Sequence, residues 1–297
     1  MASTIRHSLL LHRSNRIQCK PRMAFSTDPK PRPPWDRPTW SNIDVSLSTE
    51  NYPGVGKVKQ GAARWGFALY RCTYAEKYDS AWKRLVELIQ AHVPSTLEKT
   101  GRLDLLPTHD LPVIEDPKLD GATSHDIREH FTQWTETQLA RILVDPTTRT
   151  GRMQNPTAFA TGLGPRTVPY PLQNILGPRF NYCLFADEIC LESMDEMPSS
   201  PVVKLLNRDW VRPRTARDVL GPNSEYKICD DHGYHDGITD DPDEDVGWMY
   251  MPVHCYIDYF DRLMEPMDWD HAYRRPPEME MQVMLPGWWR KKEKPVS

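Results

Sequence analysis

Nowhere does the chain carry the ~18–20 consecutive apolar residues that a membrane-spanning helix requires. Its apolar stretches are short and broken by charge and proline. It also lacks the basic excess of a dedicated nucleic-acid binder, which displaces counterions from phosphates with a positive footprint. Lysine and arginine number 37 against 41 acids, a formal net charge of −4. The basic groups gather near the two ends, Arg6 to Arg37 and Arg290-Lys291-Lys292, and read as solvated tails. Neither a nucleic-acid partner nor a transmembrane segment is expected. The six cysteines, at 19, 72, 183, 190, 229 and 255, are widely spaced and form no Cys-x-x-Cys. That excludes a small disulfide scaffold and suits a reducing compartment. Cys72 and Cys183 sit inside apolar runs, as buried thiols do.

Familiar catalytic signatures are missing as well. There is no Gly-x-Ser-x-Gly and no His-Glu-x-x-His. Gly162-Leu163-Gly164 has no third glycine, and Gly54-Val55-Gly56-Lys57 lacks the spacing of a phosphate loop.

What the chain does have is proline: 28 in 297 residues. Proline carries no N–H and interrupts helix and sheet interiors, so long irregular connections are expected. Residues 1–60 read as a disordered, basic and proline-rich arm. Pro29 to Pro34 favours extended polyproline-like backbone, with Trp35 and Trp40 able to pin it to a domain. The first 27 residues carry Arg6, Arg13, Arg16, Lys20 and Arg22 and no acid. That is the composition of a mitochondrial transit peptide. It is equally that of a basic tail, or of an extension upstream of a start at Met23. The expected location is intracellular, in the cytoplasm, with the mitochondrion as the alternative.

Residues 61–275 read as a single α+β domain, and 276–297 as a basic, proline-rich tail. Trp65 to Tyr74 is apolar on both faces, as a central strand is. A helix opens at Asp79 or Ser80, with Trp82, Leu85, Val86 and Ile89 on one stripe, and closes near Pro94. Leu111 to Ile114 predicts a short edge strand, and Ser124 caps a second helix reaching Leu143. Phe180 to Ala186, Pro201 to Leu206 and Gly247 to Val253 predict further strands. Short helices are expected after Asp187 and over Tyr256 to Met264. The fold class is therefore α+β: a small mixed sheet with helices packed on it and long irregular loops. A ferredoxin-like sheet is one arrangement consistent with that order.

Three blocks carry a family resemblance. They are Trp65-Gly66-Phe67-x-x-Tyr70-Arg71-x-x-Tyr74 with Trp82 on the following helix, then Asp187-Glu188-x-x-Leu191-Glu192-Ser193 after an apolar strand. The third is an acidic run into Gly247-Trp248-Met249 and an aromatic helix. The series, over about residues 60–265, resembles a large family of proteins of filamentous fungi with no established activity. The resemblance implies no cofactor or catalytic residue.

The densest set of donor groups lies at Cys229 to Asp245, CDDHGYHDGITDDPDED. Cys229, His232 and His235, joined by His254, are candidate metal ligands, because zinc takes deprotonated Cys and neutral His. Their spacing matches neither of the paired zinc patterns. Asp241 to Gly247 alternates carboxylates like a calcium loop, but its glycine is one position late and Pro252 stands where a bidentate Glu belongs. Asp187, Glu188 and Glu192 follow a buried strand and admit two readings: a paired acid and base, or a helix cap with its complementary charge. Trp65, Phe67, Tyr70 and Trp82 fit core packing better than a ligand pocket. These features predict a non-catalytic intracellular protein that binds a protein or small-molecule partner. The alternative is a metal-assisted enzyme using the Cys229–His235 loop with His254 and Asp258. No cofactor is expected beyond zinc or another divalent metal in that loop.

Overall fold

A computed structural model of the chain describes residues 40–47, 58–144, 178–210, 245–264, 266–280 and 284–293. All of them fall in one compact unit, Pro38–Ser297. The elements are α1 (Ser41–Leu47), β1 (Ala68–Arg71), α2 (Asp79–Lys99), β2 (Val113–Ile114) and α3 (Ser124–Ile142). After these come β3 (Tyr182–Ala186), α4 (Glu188–Glu196), β4 (Val202–Asn207), β5 (Trp248–Pro252), α5 (Tyr256–Arg262) and α6 (Pro266–Ala272).

The fold is α+β, as expected: a five-stranded mixed sheet in the order β2-β1-β3-β4-β5, with helices against it. β1 pairs in parallel with β2 and β3, and β4 pairs antiparallel with β3 and β5. Four strands thus share one direction and β4 opposes them. The ferredoxin-like arrangement is not confirmed, since its sheet is antiparallel throughout. Long helical crossovers, α2 after β1 and α3 after β2, make the parallel pairings reachable.

Strand residues alternate between the two faces. The register places Tyr70, Phe185, Lys204 and Tyr250 side by side on one face, and Leu69, Leu184, Leu205 and Met249 on the other. α3 covers the first face: the Phe131 ring meets Tyr70 edge-on, and His130 lies 3.3 Å from the Tyr70 hydroxyl. α5 covers the second, with Tyr256 and Phe260 against Phe67. Both faces are buried, which is why the strands read as continuous apolar runs.

Three expectations need correction. α2 does not stop near Pro94 but runs to Lys99. Pro94 removes one N–H from the helical ladder, yet Val93 and Leu97 continue the buried stripe of Leu85 and Ile89. The cap of α3 is Thr123, one residue before Ser124, in a capping box with Asp126. Last, residues 41–47, assigned by the sequence to the arm, form a docked helix. Ile43 is fully buried, Trp40 Nε1 donates to Asp258 at 3.0 Å, and the Asn42 and Ile43 amides donate to Asp261. Trp35 lies outside the described residues.

The tail docks too. Glu192 of α4 accepts from Trp289 Nε1 at 3.0 Å, from Arg290 at 2.7 and 2.8 Å, and from the Tyr78 hydroxyl at 2.8 Å. Burial pushes this carboxyl up, but the donors outweigh it and hold it at about 2. A depressed carboxyl stabilises above its unfolded value, ordinarily 4.5, and that stability is lost as pH falls toward about 2. Glu192→Gln should therefore cost about 1–3 kcal/mol at pH 7. Denaturant titrations should show the gap to wild type closing below about pH 4.5.

Gly66 explains the Trp-Gly-Phe block. Its φ is +115°, and a Cβ there would lie 2.5 Å from the Asp110 carbonyl and 2.9 Å from the Tyr256 hydroxyl. Both strain and overlap oppose any side chain. Gly66→Ala should lower unfolding stability by at least about 2 kcal/mol in urea.

Candidate functional site

The carboxyl ends of β1, β2, β3 and β5 meet at one edge of the sheet, the place where open sheets with parallel strands commonly bind ligands. Polar side chains collect there in two groups.

The first group is built on β3 and β4. Asp187 ends β3 and caps α4, accepting from the Cys190 amide at 3.1 Å. Its other oxygen lies 2.6 Å from Lys204 Nζ. Lys204 is 1% exposed although it occupies the middle of a strand. Its ammonium sits 4.2 Å from the Trp248 ring centroid, 5.4 Å from Phe185 and 5.7 Å from Tyr250. A buried ammonium loses its hydration, and a carboxylate together with aromatic faces offsets that loss. Burial pushes the Asp187 carboxyl up, but Lys204 and the Cys190 amide prevail, and the net shift is downward.

The second group is built on β1. Arg71 is buried and stands between two half-exposed carboxylates, Asp79 of α2 and Glu115 after β2. Arg71 Nε donates to the Thr73 carbonyl at 2.8 Å, and the guanidinium lies 4.6 Å from the Tyr74 ring centroid. Trp82 Nε1 donates to Glu115 at 2.6 Å. Burial pushes the Tyr74 hydroxyl up to about 12. Burial also raises the nearby Cys72 and Cys190 thiols, with the Asp187 charge adding to it.

At the opposite edge, Arg179 Nη1 donates to the carbonyls of Gly66 and Asp110 at 3.0 and 2.9 Å, while Nη2 meets the Asp110 carboxylate at 2.5 Å. His109 Nε2 lies 3.2 Å from the Tyr256 hydroxyl, which accepts from the Phe67 amide at 3.0 Å. Burial pulls His109 down to about 4 against the pull of Asp110, so the ring is neutral at pH 7.

The candidates from the sequence fare differently. Cys229, His232 and His235 lie outside the described residues. His254 is exposed on the turn between β5 and α5, and Asp258 accepts the Trp40 indole bond. Among the described residues no three His, Cys, Asp or Glu side chains converge as metal ligands. Asp187 is a helix cap, and Glu188 faces Arg290 at 3.4 Å rather than a second acid. Trp65, Phe67, Tyr70 and Trp82 are core residues, and Cys72 and Cys183 are buried free thiols. Neither Lys204 nor Arg179 stands out from the sequence alone. Their signal was a lone cation inside an apolar run, Val202-Val203-Lys204-Leu205-Leu206, and a lone arginine between Pro178 and Phe180.

No protein-family model matches the chain, and neither does any curated protein or solved structure.

Removing Lys204 should reverse the behaviour of Asp187. In the native protein this carboxyl lies below its ordinary 3.8, so its stabilisation is present above that pH and lost on acidification. In Lys204→Met only the bonds from Cys190 remain to oppose burial, the carboxyl rises, and the same group opposes folding at neutral pH. Stability at pH 7 should fall by about 3–5 kcal/mol. Adding Asp187→Asn should restore part of it, as urea denaturation across pH 3–7 would show.

Proposed function

We propose that this is a non-catalytic intracellular protein that acts by binding a protein or small-molecule partner. The observation that carries the reading is the state of Asp187. General acid–base work needs a group whose pKa lies near the working pH. Here Asp187, an acid at a strand end beside the buried Lys204, is moved the other way, deeper into its charged form. Arg71 forms ion pairs with Asp79 and Glu115. Cys72 and Cys190, with thiols pushed up by burial, are poor nucleophiles, since the thiolate is the reactive form. The free thiols among the described cysteines fit a reducing compartment. Among the described residues no helix is long and apolar enough to cross a membrane. Membership of a family of proteins of filamentous fungi belongs to the same proposal and rests on the three sequence blocks alone.

Elemental analysis of the purified full chain tests the reading. The expected result is substoichiometric metal and a melting temperature unchanged by chelator. Stoichiometric zinc, lost in His232→Ala with His235→Ala, would instead support the metal-assisted enzyme of the Cys229–His235 loop.

A further inference from the structure

We propose that the amino-terminal end of the sheet carries a binding site for a short-chain carboxylate. An open pocket of about 90 Å³ lies there, between α3 and the segments that precede β1 and β3. That is room for several waters, or for the hydrocarbon end of a small acid such as isobutyrate. Val58, Ala62, Ile142 and Phe180 give it apolar walls, and Arg64, Gln138, Asp110 and Arg179 give it polar ones.

The charges favour an anion. Asp110 is taken up by Arg179, whose Nη1 and Nη2 are committed to Asp110 and to the Gly66 and Asp110 carbonyls. Arg64 is a second guanidinium on the same pocket, and among the described residues it faces no carboxylate. Its Nη1 donates to the Gly61 and Ala63 carbonyls, both at 2.7 Å, which anchors the side chain and leaves Nε and Nη2 for a ligand. A guanidinium fork with two free N–H groups fits a carboxylate in two parallel bonds. The Gln138 amide offers a further donor from α3. The apolar walls take the hydrocarbon end, and their small size selects a short, branched chain over a long one.

This site rests on the binding reading above and gives its ligand a chemical class. The test is calorimetric titration of the full chain with sodium isobutyrate, against isobutyramide, which has the same shape and no charge. Saturable binding of isobutyrate, at least tenfold weaker for the amide, is the expected result. Arg64→Gln should weaken isobutyrate binding at least tenfold with no change in melting temperature, and Ala62→Leu should block it by filling the pocket. No binding of isobutyrate to the wild-type chain, or equal binding of acid and amide, overturns the site and leaves the binding reading standing. Isobutyrate bound and also consumed would keep the site and overturn the non-catalytic reading instead.

Discussion

Everything on one face of this sheet is arranged around an ammonium group that water does not reach. Lys204 projects from the middle of β4, where a strand buried on both sides leaves no route for its head to solvent. The cost of dehydrating that charge is several kcal/mol. It is tolerable only if an acid and polarisable rings stand within a few ångströms. Asp187 and the rings of Phe185, Trp248 and Tyr250 do so, and they come from the two strands that flank β4 and the turn after one of them. Slipping β4 by one residue would turn Lys204 to the face covered by α5, away from every one of these partners. The pair therefore does more for register than for net stability, which a buried ion pair seldom improves over well-packed apolar residues.

The opposite edge solves a related problem with backbone. Gly66 brings the start of β1 so close to Asp110 that no side chain fits, and this closeness lets one buried guanidinium, Arg179, bridge both carbonyls. Tyr256 and His109 close the same knot from α5 and from the approach to β2, and burial keeps the imidazole neutral. The two ends of β1 and β3 are thus tied by charge at the carboxyl side and by an arginine bridge at the amino side. The parallel pair at the centre of the sheet is held at both ends.

Much of this architecture was legible in the chain, for a simple reason. β1, β3, β4 and β5 are apolar on both faces, so their strands stand out whatever they pair with. The stripe of Trp82, Leu85 and Ile89 marks α2 by the same logic. Pairing was not legible, because local periodicity says nothing of which strands are neighbours or of their direction. Pro94 misled through a true local rule that buried packing at Val93 and Leu97 overrides. Asp187 stands out after a buried strand, with capping as one of two readings, but Lys204, its partner, lies inside an apolar run that periodicity assigns wholly to core. The helix at 41–47 was hidden by the basic and proline-rich composition around it, and only Trp40 hinted at docking.

The distribution of charge follows from these constraints and bears on function. The buried cations Lys204, Arg71 and Arg179 each sit beside a carboxylate, and Arg179 also bridges to backbone. Such a frame has fixed charges and little capacity to exchange protons near neutrality, which suits recognition more than acid–base turnover. On the proposed binding reading, recognition falls to groups outside the knots, where a charge is anchored but not neutralised. Arg64 is such a group: its backbone bonds hold the guanidinium beside an apolar pocket while part of its fork stays open. A charge fixed in place loses little freedom when a ligand arrives, and in the proposed site that preorganisation would favour an acid over its neutral amide.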